Sequence, residues 1–217
     1  MAKPILRSAI VLLIALSCSD RTPKDKETTD EVTKVGLTPP HNKAIAAFAE
    51  GCFWCTEHIF ESVVGVDSAI SGYAGGTVPF PTYELVNTET TGHAESILVY
   101  YDPNVITYSE LTQVFFTSHD PTTPDRQGPD VGSSYRSILF YMTPTEKETA
   151  ENSLNVFSSS EMFSDSIVTE IKELKEFYRA EEYHQDYILS NPDNPYVRNV
   201  SIPRFELFKK TYKGKLK

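Results

Sequence analysis

Apolar residues along the chain recur with two periods, one typical of strands and one typical of helices. Five short apolar runs are typical of buried strands: residues 44–49, 66–71, 94–101, 135–142 and 167–171. Helical spacing follows residue 52 and continues over residues 107–118. The chain shows no internal repeat, so these alternating elements predict one mixed α/β domain over residues 44–217.

Local signals mark where other elements begin and end. Thr143-Pro144-Thr145-Glu146 resembles a capping box with proline in the first helical turn, which predicts a helix over residues 144–157. Residues 180–189 are predicted to be helical, and the glycine-rich stretch 72–76 is predicted to be a turn. Residues 119–134 form a long loop rich in Pro, Gly and Asp, and loops of that length in compact domains are often functional.

The N-terminal pattern differs from the rest of the chain. Two basic residues precede an apolar run, Ala9 to Leu16, which is too short to span a bilayer and has the length of a signal-peptide core. Residues 1–17 are therefore predicted to be a signal peptide. The run ends in Ala15-Leu16-Ser17-Cys18, which resembles a bacterial lipobox and predicts lipidation of Cys18.

The stretch that follows has the composition of a flexible segment. Residues 18–43 are rich in Asp, Lys, Thr, Glu and Pro and contain few large apolar residues, which predicts a tether without its own core. We therefore expect an exported protein, located in a bacterial periplasm or held at a membrane as a lipoprotein. The alternative is a soluble exported product.

Charge and cysteine content narrow the function further. The 20 Lys and Arg residues are outnumbered by 30 Asp and Glu, giving a formal net charge of −10, which nucleic-acid phosphates would repel. We expect no nucleic-acid partner, no bound metal and a monomeric chain. Three cysteines cannot form a disulfide framework, so they are available for chemistry.

Two of these cysteines flank the only tryptophan, in Gly51-Cys52-Phe53-Trp54-Cys55. This segment lies between a predicted strand and a predicted helix. Unpaired amides and the helix dipole at such a junction favour a thiolate, which predicts that Cys52 is a nucleophile. Cys55 lies one helical turn further on the same face, close enough in principle for a disulfide.

The pair has alternative interpretations. With His58 it could form part of a zinc site, although the chain has no second cysteine pair with ligand spacing. It could be a dithiol that acts on protein disulfides, although the two bulky aromatic residues Phe53 and Trp54 suggest a pocket wall. The third alternative is two buried structural cysteines.

Further polar residues occur near predicted turns and strand ends, and each has an ordinary structural explanation. Glu95 starts a strand after Thr91-Gly92-His93, and Asp130 and Tyr135 flank a Gly-Ser turn. Tyr83 follows Pro81 in a loop. Taken singly, Glu95 would be explained by a solvated edge position, Asp130 by a turn and Tyr83 by surface packing.

Taken together, these stretches resemble the class A methionine sulfoxide reductases. The matching segments occur in the family's order: Gly51 to Cys55, Ser71 to Gly76, Pro81 to Tyr83, Thr91 to Glu95, Tyr101 to Pro103, His119 to Pro121, Arg126 to Gly128 and Gly132 to Ser137. The resemblance implies an α/β (α+β) fold, a two-layer sandwich with a ferredoxin-like core and long functional loops. It also implies reduction of the S epimer of methionine sulfoxide, free or in proteins, as repair of oxidative damage.

The resemblance also implies roles for the polar residues. A sulfoxide oxygen leaves only when it is protonated, so the reaction needs a thiolate and acidic donors. Cys52 is expected to attack the sulfur, while Glu95 as a neutral acid, with Tyr83 and Tyr135, binds and protonates the oxygen. Asp130 is expected to orient the substrate backbone or a water molecule.

The remaining implied roles concern specificity and turnover. Phe53 and Trp54 are expected to form the apolar wall that accepts the substrate methyl group. Attack leaves a sulfenic acid on Cys52, which condenses with a nearby thiol. That resolving thiol is expected to be Cys55 or else an external thiol. A thioredoxin-like partner would then reduce the disulfide, and no cofactor would be bound.

Overall fold

The computed structural model describes residue 1 and residues 31–217. The signal-peptide prediction and Cys18 lie outside the described residues, as does most of the predicted tether. Strands of the described chain are β1 (Thr33–Lys34), β2 (Ala44–Glu50), β3 (Val66–Ala74), β4 (Ala94–Tyr101), β5 (Arg126–Gln127), β6 (Asp130–Val131), β7 (Ser137–Tyr141), β8 (Glu170–Glu173) and β9 (Phe177–Arg179). Helices are α1 (Phe53–Glu61), α2 (Tyr83–Val86), α3 (Tyr108–Ser118), α4 (Pro144–Ser158), α5 (Tyr187–Ser190) and α6 (Ile202–Thr211). In residues 31–217, no helix combines the length and apolarity that crossing a membrane requires.

Seven strands form one sheet in the order β1-β9-β3-β4-β2-β7-β8. All neighbours are antiparallel except β7 and β8. The chain runs β2, α1, β3, β4, α3, β7, and these four strands lie in the order β3-β4-β2-β7. That arrangement is the split β-α-β pattern of a ferredoxin-like core. The predicted α+β fold is therefore confirmed.

Strand β2 shows why the sheet has two apolar faces. Ala46 and Phe48 belong to the core that contains residues of α1, α3 and α6, and the ring of Phe48 stacks on Phe60 at 4.8 Å between centroids. The alternate residues Ile45, Ala47 and Ala49 pack on the opposite face. Because side chains alternate along a strand, a fully apolar strand is stable only when both faces are covered. Burying a side chain such as Phe48 stabilises the fold by roughly 2 to 3 kcal/mol.

Part of the predicted tether is ordered. Thr33 and Lys34 pair with Arg179 and Tyr178, and the Val35 amide donates to the Phe177 carbonyl at 2.9 Å. Residues 33–35 of the predicted tether are therefore attached to the sheet by backbone hydrogen bonds. The cause is the exposed edge of β9, whose free backbone groups gain partners from β1.

Two further predictions need correction. The predicted turn at residues 72–76 begins late, because β3 continues to Ala74. A Cβ atom on Gly72 would collide with the Tyr178 carbonyl oxygen, so the glycine is needed for close packing of β9 against β3. The strand predicted at 167–171 lies instead at Glu170–Glu173.

The continuous helix predicted over residues 180–189 is also wrong. The structure has a 3₁₀ turn at Glu182–His184, a left-handed Asp186 with φ of 50°, and the short α5. The Glu57 carboxylate accepts a hydrogen bond from the Asp186 amide at 2.9 Å, and the Gln185 amide group donates to the Ser71 carbonyl at 3.0 Å. These buried polar partners hold the irregular path in place of helical hydrogen bonds.

Candidate active site

Cys52 lies at the strand-to-helix junction that the sequence predicts, as the residue preceding α1. The chain turns at Gly51, whose φ is +90°, and a Cβ atom there would collide with Gln127. Glycine is the residue that adopts this backbone conformation without strain. The Cys52 side chain makes no capping hydrogen bond to the helix, which leaves its sulfur available to the neighbouring cavity.

That cavity has a volume of about 290 Å³. Its lining contains Cys52, Phe53, Trp54, Tyr83, Glu95, Asp130, Tyr135, Asn194 and Tyr196. The structure thus brings together all the residues for which the sequence predicts a catalytic or substrate-binding role. Asn194 and Tyr196 are additional members that the sequence reasoning missed.

Glu95 lies on β4, opposite Tyr73 of β3, and its side chain is 2% exposed. Its Oε2 accepts a hydrogen bond from the Phe53 amide at 3.0 Å. Burial raises the pKa of Glu95 to about 8, although the Phe53 amide lowers it in part. The carboxyl group is therefore mainly protonated at neutral pH and can donate a proton.

Both tyrosines are held by carboxylates outside the cavity. The Tyr83 amide donates to Glu181 Oε1 at 2.9 Å, and the turn that carries Tyr135 is held by Glu89, which accepts bonds from Ser133 and Ser134. Tyr135 lies in a 3₁₀ turn and not in the strand that the sequence predicts, because β7 begins at Ser137. Burial raises the pKa of both phenols, so they remain hydrogen-bond donors at neutral pH.

Asp130 is presented by the hairpin of β5 and β6 and is bonded to Tyr196. The Tyr196 hydroxyl donates to Asp130 Oδ2 at 2.5 Å, and burial raises the pKa of Asp130. Tyr196 lines the same cavity as Cys52. The sequence offered little sign of this role, since Asn194-Pro195-Tyr196 has the composition of a turn.

The aromatic wall is fixed by its neighbours. The Trp54 ring stacks on Tyr187, with 3.7 Å between centroids and 7° between planes. Its Nε1–H donates to His184 Nδ1 at 3.0 Å, and the Phe53 ring lies 4.9 Å from the His184 ring. Because these contacts hold the rings from several sides, the wall is preorganised.

Cys55 and Cys52 are free thiols, 1% and 6% exposed. Cys55 Sγ is bonded to Ser201 Oγ at 3.2 Å. Burial raises the pKa of Cys52, whereas the neighbouring Cys52 side chain lowers the pKa of Cys55 to about 6. The role of Cys52 as the attacking thiolate stays a prediction. The Phe53 amide at the helix end is bonded to Glu95, so it does not stabilise charge on that sulfur.

The zinc alternative lacks a ligand set in the structure. Within residues 31–217, no group of three or more His, Cys, Asp or Glu side chains is placed to hold a metal ion. The ring of His58, the third ligand considered, packs edge-on against Phe205 at 4.6 Å.

The site combines two thiols, a protonated carboxyl group and two phenols with an apolar wall. These groups can deliver electrons and protons to a small polar oxide. The fold and this cavity define a thiol-dependent oxidoreductase.

Comparison with known proteins gives the family. A family profile described as "Peptide methionine sulfoxide reductase" matches residues 44–216. The peptide methionine sulfoxide reductase MsrA of Natronomonas pharaonis is 47% identical over 173 residues, which cover 80% of this chain and 97% of the relative. The MsrA of Deinococcus radiodurans is 41% identical over 195 residues, or 90% of this chain and 95% of the relative.

Comparison with solved structures gives the same family. Reduced Mxr1 from Saccharomyces cerevisiae superimposes with a TM-score of 0.68 at 35% identity, covering 75% of this chain and 92% of Mxr1. Mxr1 in complex with Trx2 gives a TM-score of 0.50 at 29% identity, covering 70% of this chain and 94% of that one. This chain belongs to the peptide methionine sulfoxide reductase family. It is an oxidoreductase that reduces methionine sulfoxide to methionine.

Proposed function

We propose that the protein reduces the S epimer of methionine sulfoxide, free or in proteins, in the cavity around Cys52. The observation that carries this proposal is the protonated, 2%-exposed Glu95, which lines the same cavity as the Cys52 side chain. Cys52 attacks the sulfoxide sulfur, and Glu95 transfers its proton to the oxygen with help from Tyr83 and Tyr135. The S–O bond to the substrate breaks, methionine leaves, and Cys52 becomes a sulfenic acid.

The cavity also supports a choice of epimer. Phe53 and Trp54 offer one apolar wall for the methyl group, and the polar donors define a separate place for the oxygen. When both substituents are placed, only one configuration at sulfur presents its free face to Cys52. Asp130, held by Tyr196, orients the substrate backbone or a water molecule.

Cys55 is proposed as the resolving thiol. The neighbouring Cys52 side chain lowers the pKa of Cys55 to about 6, so Cys55 is poised to attack the sulfenic acid and form a disulfide. A thioredoxin-like protein then reduces that disulfide. The complex of the related Mxr1 with Trx2 supports this choice of reductant. The catalytic cavity is complete within one chain, which supports a monomer.

An epimer-resolved assay tests the reaction. With dithiothreitol as reductant, purified protein should convert the S epimer to methionine and leave the R epimer, while Cys52→Ser should be inactive. Cys55→Ser should form methionine in a first turnover but no disulfide under thiol mapping. Equal consumption of both epimers would contradict the cavity argument. Activity in Cys52→Ser would contradict the assignment of the nucleophile.

We also propose that the protein is exported and anchored through Cys18. The support is the apolar run and the lipobox-like Ala15-Leu16-Ser17-Cys18. Labelled palmitate should enter the membrane-bound protein and be absent from Cys18→Ser, with Cys55→Ser as the matched cysteine control. Label that persists in Cys18→Ser would overturn the anchor.

A further inference from the structure

A buried ion pair between Glu50 and Arg204 lies next to the cysteine segment. Glu50, the last residue of β2, is fully buried, and its Oε1 accepts a hydrogen bond from Arg204 Nη2 at 2.6 Å. The Ser118 hydroxyl donates to the other carboxylate oxygen at 2.8 Å. Arg204 Nε also donates to the Ser118 carbonyl at 2.8 Å. The guanidinium is thus held by two partly buried hydrogen bonds, and a third from Ser118 fixes the carboxylate that it pairs with.

The same helical segment contacts Cys55. Ser201 precedes Arg204 by three residues, so the two side chains lie on one face of the segment. Ser201 Oγ is bonded to Cys55 Sγ at 3.2 Å. A Cβ atom placed on Gly51, next to Cys52, would lie 3.8 Å from Arg204 Nη1. The guanidinium therefore lies beside the cysteine segment, with Ser201 as the direct contact to Cys55.

We propose that Arg204, held by Glu50, is a positioning residue for the resolving step: its charge keeps Cys55 as a thiolate when the sulfenic acid forms on Cys52. This inference rests on the proposed role of Cys55. In that step the Cys55 thiolate attacks the Cys52 sulfur, an S–S bond forms and the S–O bond breaks. The departing hydroxide takes one proton from solvent and leaves as water.

The surroundings of Cys55 explain why a cation is needed there. Titratable or charged groups face it from every element packed against it: Cys52, Glu50, Glu95, Asp130, Tyr196 and Arg204. All of these except Arg204 are acids, and an ionised acid would disfavour a thiolate. Arg204 acts in the opposite direction and lowers the pKa of Cys55, after the larger effect of the Cys52 side chain.

Rapid-quench experiments across pH test the proposal. Reduced protein is mixed with one equivalent of methionine sulfoxide without reductant, and both methionine and the Cys52–Cys55 disulfide are followed in time. In the wild type, the rate of disulfide formation should rise with pH to a plateau as Cys55 ionises. In Arg204→Met the midpoint should move up by about one pH unit or more, which slows the step about 10-fold at a pH well below both midpoints.

Three further variants separate charge from structure. Glu50→Gln/Arg204→Met removes the buried carboxylate that Arg204→Met leaves without its partner, and it should remain slow in disulfide formation. Arg204→Lys retains the charge and should shift the midpoint by clearly less than Arg204→Met does. Arg198→Met, at an exposed arginine paired with Asp193, is the matched control and should match the wild type.

Two results would overturn the proposal. One is an unchanged pH midpoint in Arg204→Met. The other is disulfide formation at the wild-type rate in the double variant, which would show that Arg204 acts only as a structural partner of Glu50. If Arg204→Met does not fold, the double variant and Arg204→Lys still give these answers. If wild-type protein releases no methionine at all, the proposed reaction is wrong. If Arg204→Met releases methionine normally and forms the disulfide as fast as the wild type, only the role of Arg204 is wrong.

Discussion

Replacing Glu95 by Gln separates the chemical role of this residue from its structural one. The amide oxygen of Gln can still accept the hydrogen bond that the Phe53 amide donates at 3.0 Å. The change removes the acidic proton, and loss of a general acid costs about 10²- to 10⁴-fold in rate. We expect the methionine-forming step to slow by that factor. In the wild type, the same step should weaken as pH rises through about 8, where Glu95 loses its proton.

Glu95→Gln should lower the rate but should make the unfolding free energy less sensitive to rising pH than it is in the wild type. The pKa of Glu95 is about 8 in the folded protein against 4.5 as the ordinary value, so the folded state binds the proton more tightly. This contribution to stability is complete below pH 4.5 and is lost progressively as pH rises to 8. At about 1.4 kcal/mol per pH unit, the loss is roughly 5 kcal/mol over this window. Gln carries no ionisable proton, so the variant does not lose this contribution.

Urea denaturation at pH 5, 6.5 and 8 measures the difference between Glu95→Gln and the wild type. The unfolding free energy of the variant minus that of the wild type should increase from pH 5 to 6.5 and again from 6.5 to 8. The single-turnover rate of the variant should stay low. Glu148→Gln, at an exposed position on α4, is the matched control and should change neither quantity. A difference in unfolding free energy that is constant with pH would refute the protonated state of Glu95. An unchanged turnover rate would refute its role as the acid.

Three other substitutions test separate parts of the structure. Tyr135→Phe removes one donor to the sulfoxide oxygen and should lower kcat/KM about 10-fold, measured with the S epimer, because a lost hydrogen bond to the reacting group costs about 1 to 2 kcal/mol. Tyr187→Ala removes the ring stacked on Trp54, so the apolar wall loses its support. KM should rise several-fold with a smaller effect on kcat, and an unchanged KM would count against a substrate-binding wall. Gly72→Ala should lower the unfolding free energy by about 3 kcal/mol in urea titrations, because the methyl group collides with the β9 backbone, whereas Gly36→Ala, with open space around it, should have almost no effect.

Elements whose stability is local were predictable from the sequence. The strand at residues 94–101 matches β4 because its apolar residues are buried on both faces. The helix at Pro144–Ser158 begins where the capping box predicts, with the Thr143 hydroxyl accepting from the Glu146 amide at 3.2 Å. Signals of this kind are complete within a few residues, so the rest of the fold is not needed to interpret them.

Features that depend on distant partners were not predictable in the same way. The path of residues 180–190 follows hydrogen bonds to Glu57 and Ser71, which lie more than 100 residues earlier. Tyr196 enters the cavity because it bonds Asp130, 66 residues away.

The Trp54 contacts have a practical consequence for spectroscopy. Since the chain contains a single tryptophan and its indole lies in the cavity wall against Tyr187 and His184, excitation at the red edge of the protein absorption band addresses this position alone. Native emission therefore needs no introduced dye to report ligand entry or a change in the oxidation state of the adjacent sulfurs.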